Sequence, residues 1–287
     1  MKTIGIIANP TKARAAEVLR RIAVRAKALG LALCADPPTG ALLDVGEVAV
    51  AENLFDVVDL VMALGGDGTM IRAVRELNGR DKPIIGVNIG GLGFLTSVAE
   101  DDLDRAMECL ANGSYVLSEH PIVSCRVERG GEKIAEYRAL NDVVVNRGAT
   151  ARVVTLDVWV DGGKVTSYVC DGLIVSTPAG STGHSLSAGG PILAPATRAF
   201  VISLICPHTL SSRPLVVPDS SEICVGLHNG ERRLILSVDG QVGCALAGED
   251  RVLIRRGERS VRFIHLPGYS YFGVLRQKLH WSGSSVG

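Results

Sequence analysis

The 287-residue sequence lacks several features that would assign it to a common class of protein. It has no excess of either charge, since 30 Lys and Arg residues balance 30 Asp and Glu residues, and this argues against a general nucleic-acid binder. No apolar run is long enough to span a membrane, and the apolar run within the opening MKTIGIIANP is too short for a signal peptide. These absences predict a cytoplasmic protein with neither a nucleic-acid nor a membrane partner.

The cysteines and the glycine-rich stretches exclude further classes. Seven cysteines are scattered singly, without a CxxC pair or a zinc-like cluster, which is typical of reduced thiols in a reducing compartment. There is no GxxxxGK[ST] P-loop, and GGLGFL at 90–95 lacks the GxGxxG spacing of a Rossmann fingerprint. A nucleotide bound by this chain would therefore need a different kind of loop.

The first 115 residues alternate short β-branched apolar runs with helical patterns of apolar residues. This alternation predicts strands at 3–8, 31–35, 57–64 and 83–88, and helices within 12–30, 69–77 and 101–113. Between the second and third strands, Pro37, Pro38 and Gly40 predict a loop, with a short helix as an open alternative for the rest of 37–53. Strands that alternate with helices predict an α/β domain with a parallel sheet.

Beyond residue 115 the helical pattern becomes scarce and strand-turn-strand patterns take over. Asp161-Gly162 is a strong hairpin signal, and the run from 116 to 129 predicts one strand. Further strands are predicted near 223–228, 233–238, 251–256 and 260–265, and a closing helix is predicted within 271–281. We therefore predict an α/β domain over 1–115, onto which the tail 267–287 docks back, and a β-rich domain over 116–266.

The stretch GGDGT at 65–69 joins a predicted strand to a predicted helix. Its glycines allow backbone N–H groups to approach a ligand, and the start of a helix favours phosphate. Asp67 does not fit simple phosphate binding, because a carboxylate repels an anion. It could accept a proton from an attacking hydroxyl or help to hold Mg²⁺. The alternative is a tight turn in which Asp67 caps the helix.

A second stretch, DGLIVSTPAGSTGHSLSAGGPIL at 171–193, combines many hydroxyls and glycines with few charges. Such a density of small polar groups suits a polar ligand that lies along the chain. The alternative is an ordinary surface loop. Ordinary loops seldom combine this length with so few charges, which favours the ligand-binding interpretation.

These two stretches occur in order with GVNIGGLGFL (86–95), NDVVVNRG (141–148), ICPHTLSSRPL (205–215) and DGQ (239–241). Over essentially its whole length the sequence resembles the NAD kinases. GGDGT alone is shared with phosphofructokinases and lipid kinases, whereas 171–193 looks specific to NAD kinases. The resemblance implies an α/β N-terminal domain that handles the phosphate donor and a β-rich C-terminal domain, with NAD in the cleft.

The resemblance also implies the reaction. A phosphoryl group passes from ATP, or from polyphosphate, to the adenosine-ribose 2′-hydroxyl of NAD and gives NADP. Mg²⁺ is needed, and no protein motif binds it directly, so the phosphates would carry it. The family forms dimers and tetramers, so a homo-oligomer is expected.

Residue roles follow from the same resemblance. Asp67 is the expected base, and Gly65, Gly66, Gly68 and Thr69 form the expected phosphate-donor loop. The positions expected to bind NAD are Asp67, Gly68, Phe94 (lining the adenine pocket), Asn141 and Asp142 (ribose), Arg152 (pyrophosphate), Asp171 (nicotinamide half), Thr182, Gly183, His184, Ser185, Leu186, Ser187 and Gln241.

The sequence departs from the family pattern at two of these sites. Gly183-His184 stands where the family usually has Ala-Tyr, and a histidine ring can stack on a nucleotide but is smaller. Asp142 stands where the family has Glu, so its ribose contact could pass through water.

Two other functions are compatible with parts of the pattern. A lipid or sugar kinase could share GGDGT, but the stretch 171–193 counts against both, and a lipid kinase would also need an apolar acceptor pocket that this polar stretch does not suggest. A non-catalytic NAD-binding sensor could keep the pocket, but it would not need the carboxylate of Asp67.

Overall fold

We describe the fold from a computed structural model of the chain. The structure describes residues 2–43, 48–91, 93–148, 153–209, 211–228 and 234–281. The chain forms two compact units, one of Met1–Glu119 with Val261–Gly287 and the other of His120–Ser260. Among the described residues, no helix is long and apolar enough to cross a membrane.

The secondary structure alternates in the first part of the chain and is mostly β afterwards. In chain order the strands are β1 (Thr3–Ala8), β2 (Ala32–Ala35), β3 (Ala49–Val50), β4 (Leu60–Gly65), β5 (Ile84–Asn88), β6 (Val98–Ala99), β7 (Val116–His120), β8 (Val123–Arg129), β9 (Glu132–Ala139), β10 (Asp142–Asn146), β11 (Val154–Val160), β12 (Gly163–Cys170), β13 (Gly172–Ser176), β14 (Ala199–Ile205), β15 (Leu215–Pro218), β16 (Ile223–Leu227), β17 (Leu234–Val238), β18 (Val242–Leu246), β19 (Arg251–Arg256) and β20 (Val261–His265). The α-helices are α1 (Ala15–Ala28), α2 (Pro37–Gly40), α3 (Leu54–Val57), α4 (Asp67–Leu77), α5 (Leu103–Asn112), α6 (His184–Ser187) and α7 (Tyr271–Lys278).

The first unit is built on one sheet, which contains eight of the described strands in the order β3-β2-β1-β4-β5-β20-β7, with β6 beside β5. The pairs of β1 with β4 and of β4 with β5 are parallel, which confirms the predicted α/β class. Parallel strands end at the same edge. The segments that follow β1, β4 and β5 therefore start side by side, and Asn9 N donates to Leu64 O while Ile89 N donates to Gly65 O.

The second unit is a sandwich of two antiparallel sheets, which in the described part of the chain have the orders β15-β14-β13-β10-β17-β18 and β12-β11-β16-β19-β8-β9. Alternate residues of β8 and β11 point inward, as strands with one buried face require. Both sheets contribute to one apolar core that includes Val127, Val145 and Phe200. The predicted β-rich fold is confirmed.

Three local predictions differ from the structure. Pro37 and Pro38 begin helix α2 rather than a loop, because proline is favoured in the first turn and Asp36 caps the helix by accepting from Thr39 N. The run 116–129 is interrupted after His120, because Pro121 has no N–H to donate to a neighbouring strand. The two parts form β7 and β8, which belong to different sheets.

The third difference concerns 260–265, which we predicted within the β-rich domain. This segment forms β20, in which Phe263 pairs in parallel with Ile84 of the first sheet. The boundaries of the units consequently lie at 119/120 and 260/261, a few residues from the predicted 115/116 and 266/267.

Candidate functional site

The GGDGT stretch forms the sharp connection between β4 and α4 in the first unit. Gly65 closes β4 at a φ of 159°, and a Cβ built there would overlap the Thr69 hydroxyl. Helix α4 begins at Asp67, two residues before the predicted start, with Gly66 as the capping residue. The compact turn therefore needs glycine at Gly65 and places Asp67 in the first turn of the helix.

The carboxylate of Asp67 does not cap α4. Its two oxygens accept hydrogen bonds from the backbone N–H groups of Phe94, at 2.9 Å, and Leu95, at 2.9 Å. Asp67 remains partly exposed. Since each carboxylate oxygen has two lone pairs, each keeps acceptor capacity for a further donor. The capping alternative is therefore wrong, and the carboxylate joins two loops.

The loop that Asp67 holds follows β5 and carries Phe94. A Cβ built on Gly93 would overlap Oδ1 of Asp67, so this position must be glycine for the two loops to meet. Asn88 stabilises the same loop, because its Nδ2 donates to Gly91 O at 2.7 Å and to Thr96 Oγ1 at 3.1 Å. Asp67 and Asn88 together fix the position of Phe94.

Two cations lie near these loops. Nζ of Lys278, at the end of α7, is 5.4 Å from the centre of the half-buried Phe94 ring. Lys12, which follows β1, is exposed, and its Nζ lies 3.6 Å from the position that a Cβ on Gly90 would occupy. Sequence reasoning did not select Lys12, although its place two residues after Asn9-Pro10 puts it at the end of a buried strand.

In the second unit, residues 140–142, which lie just before and at the start of β10, have hydrogen bonds at each backbone N–H and carbonyl group. The Asp239 carboxylate accepts from the N–H groups of Leu140 (2.8 Å), Asn141 (2.7 Å) and Asp142 (3.0 Å). The Leu140 carbonyl accepts from Thr177 Oγ1 at 2.5 Å, and the Asn141 carbonyl accepts from Thr177 N at 2.9 Å. Asp239 N donates to the Asp142 carbonyl at 2.9 Å. The backbone of 140–142 is thus fixed from both sides.

The side chains of this segment are in an unusual environment. Burial, with the Asp239 carboxylate as a second cause, raises the pKa of Asp142 to about 7. Among the described residues, no hydrogen-bond partner reaches the buried Oδ1 of Asn141. Buried polar atoms without partners are uncommon and occur at functional positions. Asn141 and Asp142 thus combine a buried unpartnered oxygen with a carboxyl of raised pKa.

The first part of the segment after β13 is buried, whereas several residues from 183 onward are exposed. Residues 177–182 are all buried. The Ser181 hydroxyl donates to Pro178 O at 2.7 Å and accepts from Leu193 N at 3.0 Å, which closes the loop on itself. A Cβ built on Gly180 would overlap the Asn141 carbonyl oxygen, so the backbone of this loop packs directly against the backbone of residues 140–142.

The other positions singled out in the sequence divide by their surroundings. Ser185 is buried and shares a hydrogen bond of 3.0 Å with Ser203, so its hydroxyl holds α6 against β14. Thr182 Oγ1 donates to Ala179 O. Gly68, Gly183, His184, Ser187 and Gln241 are exposed, and Leu186 is half-buried.

Two charged positions remain. Asp171 forms a two-point ion pair with Arg147, with Nε to Oδ1 at 3.0 Å and Nη2 to Oδ2 at 3.1 Å. Arg152, expected to face the pyrophosphate, lies outside the described residues.

Comparison with known proteins identifies the family. Models of the ATP-NAD kinase N-terminal and C-terminal domains match residues 4–115 and 140–266. The NAD kinase of Geobacter sulfurreducens is 41% identical over 281 residues, which cover 98% of this chain and 99% of that relative. This chain belongs to the NAD kinase family. The prediction that it is a phosphotransferase of this family is confirmed.

Solved structures of two other family members share the fold. Yeast NADH kinase in complex with NADH superposes with a TM-score of 0.91 at 23% identity, covering 99% of this chain and 89% of that one. An NAD kinase from Archaeoglobus fulgidus in complex with ATP gives 0.75 at 24% identity and 97% coverage of both chains. At these identities the likeness shows the fold alone.

Proposed function

We propose that this member of the family transfers the terminal phosphoryl group of ATP to the adenosine-ribose 2′-hydroxyl of NAD, with Asp67 as the base. The observation that carries this proposal is the state of the Asp67 carboxylate. It is partly exposed, it is fixed by two backbone N–H groups, and both oxygens keep a lone pair for a donor. A base for a hydroxyl must be within hydrogen-bond reach and must not rotate away.

The first unit would position the donor and the reacting groups. The turn at Gly65, Gly66, Gly68 and Thr69 offers backbone N–H groups at the start of α4, where phosphate is favoured. Lys12 would add a positive charge beside the loop of Phe94, whose ring would line the adenine pocket. Positioning and charge neutralisation supply most of the rate enhancement in phosphoryl transfer.

The second unit would hold NAD. Asn141 and Asp142 would bind ribose hydroxyls, since a carboxamide and a half-protonated carboxyl can each donate and accept hydrogen bonds. Gly183, His184, Ser187 and Gln241 would contact the nucleotide, together with Thr182 and Leu186. We assign Ser185 to support of this surface, because its hydroxyl is bonded to Ser203. Asp171 would reach the nicotinamide half alongside its partner Arg147, and Arg152 would face the pyrophosphate.

Mg²⁺ fits the donor set of the chain only if the phosphates hold most of it. Among the residues that the structure describes, no group of three His, Cys, Asp or Glu side chains could bind a metal ion. Mg²⁺ is commonly held by phosphates, water and one or two carboxylates, and Asp67 could be one of them. When bound, the ion would neutralise the charge that develops on the phosphates.

The test is a coupled assay with NAD, ATP, Mg²⁺, glucose-6-phosphate and a dehydrogenase that accepts only NADP. We expect an absorbance increase with wild type and a fall of about 10²–10⁴-fold in kcat for Asp67→Asn. Asp36→Asn is a matched control, since Asp36 also follows a strand of this sheet and accepts from a backbone N–H. We expect it to change kcat by less than about threefold.

A second measurement separates the two roles of Asp67. An asparagine keeps one acceptor oxygen and turns an amide N–H₂ toward the other loop N–H, so the loop of Phe94 would loosen. If Asp67 only anchors this loop, Asp67→Asn would weaken NAD binding in calorimetry and leave kcat at saturating NAD unchanged. NAD binding by wild type without turnover would instead indicate a sensor.

Three finer points belong to the same proposal. Parallel assays with NADH and with polyphosphate define the acceptor and the donor, and we expect NAD and ATP to be preferred. We propose a dimer or tetramer in solution, from the resemblance to the family, which light scattering after gel filtration will test. We also propose residence in the cytoplasm, which the seven scattered thiols favour.

A further inference from the structure

The strongest unassigned feature is the Asp239 carboxylate in the second unit. Asp239 lies in the turn between β17 and β18 with a φ of 53°, a left-handed conformation that aspartate tolerates better than most residues. From this turn it accepts three successive backbone N–H groups, those of residues 140–142. No other part of the proposed mechanism uses Asp239.

We propose that Asp239 is a positioning residue for NAD, acting through the backbone of Asn141 and Asp142. This inference rests on the proposed function of that segment. Three convergent N–H groups on one carboxylate form an anion-binding arrangement of the backbone, and charge-assisted hydrogen bonds of this kind are stronger than neutral ones. Here the anion is part of the protein, so the N–H groups serve to fix the segment.

The arrangement fixes the backbone that carries the Asn141 and Asp142 side chains. With the three N–H groups held by Asp239 and two carbonyls held by Thr177, the backbone at 140–142 cannot rotate without breaking buried bonds. The backbone from which the Asn141 amide projects is therefore fixed, while its buried Oδ1 lacks a partner among the described residues. A fixed backbone lowers the conformational entropy that the Asn141 carboxamide would lose on binding a ligand.

The same turn carries Gln241, which the resemblance places near the nucleotide. Gln241 N donates to Val238 O at 3.1 Å, and Val238 pairs with Val143 of β10. Asp239 therefore ties two proposed NAD-contacting segments, 140–142 and the β17–β18 turn, into one rigid surface.

The chain contains a matched control for this role. Asp161 also precedes a glycine in a hairpin turn of the second unit, has a φ of 50°, and accepts from a backbone N–H, that of Glu222, at 2.8 Å. It lies between β11 and β12 in the other sheet. A change there tests the general effect of weakening an aspartate-held turn in this unit.

The experiment compares Asp239→Ala, Asp239→Asn and Asp161→Ala in the coupled assay and in NAD calorimetry. We expect Asp239→Ala to raise KM and Kd for NAD by about 10–100-fold, with KM for ATP changed by less than about threefold. Asp239→Asn keeps one acceptor oxygen, so it should raise KM and Kd for NAD by about 3–10-fold, which is less than the alanine change. Asp161→Ala should lower thermal stability and leave both NAD constants unchanged.

The possible outcomes are distinct. Unchanged NAD constants in Asp239→Asn, or equal changes for NAD and ATP, would overturn the proposal, as would an Asp161→Ala effect of the same size. If Asp239→Ala does not fold, Asp239→Asn decides alone. Wild type that lacks turnover but binds NAD would contradict the proposed function, and the Kd comparison would still test Asp239.

Discussion

The two units use the same device in different ways. In each, an aspartate in the connection after a buried strand accepts backbone N–H groups from another segment. Asp67 receives two, from Phe94 and Leu95, whereas Asp239 receives three, from residues 140–142. We propose direct contact with the reacting hydroxyl for the first and support of contact residues for the second.

The two proposed roles differ because the two carboxylates keep different acceptor capacity. A carboxylate with two backbone donors still has acceptor capacity on each oxygen. In the second unit, one oxygen of Asp239 already accepts from both Asn141 N and Asp142 N. The number and placement of the donors, rather than residue type, therefore separate the two aspartates.

The largest effects should come from the glycines that let each aspartate-bound segment pack. Gly180→Ala would place a Cβ on the backbone carbonyl of Asn141, which cannot move, and we expect a loss of about 3 kcal/mol in the free energy of unfolding. Gly93→Ala would meet the Asp67 carboxylate, which could yield only by leaving its two N–H donors. We expect about 1 kcal/mol of destabilisation there and a fall in kcat of at least about tenfold.

Urea denaturation and the coupled assay measure these glycine effects. Gly163→Ala and Gly91→Ala are controls in the same units, because a Cβ has ordinary or open space at both positions. A Gly93→Ala variant with wild-type kcat would show that the position of the Asp67 carboxylate does not limit the reaction.

A second comparison uses pH, since burial shifts the pKa of Asp142 in the second unit and of His265 in the first in opposite directions. Burial raises the pKa of Asp142 from 3.8 to about 7, so the protonated carboxyl favours the folded state. This contribution to the free energy of unfolding is complete below pH 3.8 and is lost as pH rises from 3.8 to about 7. Burial lowers the pKa of His265 from 6.5 to about 4, so its contribution is present above pH 6.5 and is lost as pH falls toward 4.

The two groups should therefore give opposite slopes. Relative to Asp142→Asn, we expect the free energy of unfolding of wild type to fall by about 1.4 kcal/mol for each pH unit between pH 5 and 7. Relative to His265→Gln, the free energy of unfolding of wild type should fall by a similar amount per pH unit as pH decreases from 6 to 5. Denaturation at several pH values checks both, and parallel slopes for the two pairs would contradict the assigned pKa directions.

The smallest effect concerns substrate preference. Lys12→Met removes a charge beside the Phe94 loop, and we expect KM for ATP to rise about tenfold while KM for NAD changes by less than about threefold. This pattern is the inverse of that expected for Asp239→Ala. Steady-state kinetics with each substrate varied in turn measures it, and Lys12→Arg, which keeps the charge, should recover most of the loss.

Much of this organisation was predictable from the sequence. The periodicity of apolar residues gave the α/β and β-rich halves, and the glycines around Asp67 pointed to a functional turn. The β20 segment was assigned to the wrong sheet, since a short apolar strand carries no information about its partner. Asp239 was noted within DGQ but given no role of its own, because its bonds are to N–H groups about a hundred residues away in the sequence.

The loop closed by Ser181 has a thermodynamic consequence. Its hydroxyl bridges Pro178 and Leu193 through bonds within the chain itself, so we expect this segment to be ordered before a nucleotide binds. A nucleotide that docks here would not bear the conformational entropy of ordering a dozen residues. The enzyme would then bind with a small entropic penalty, and the amide hydrogens of this segment would exchange slowly with solvent even in the absence of substrate.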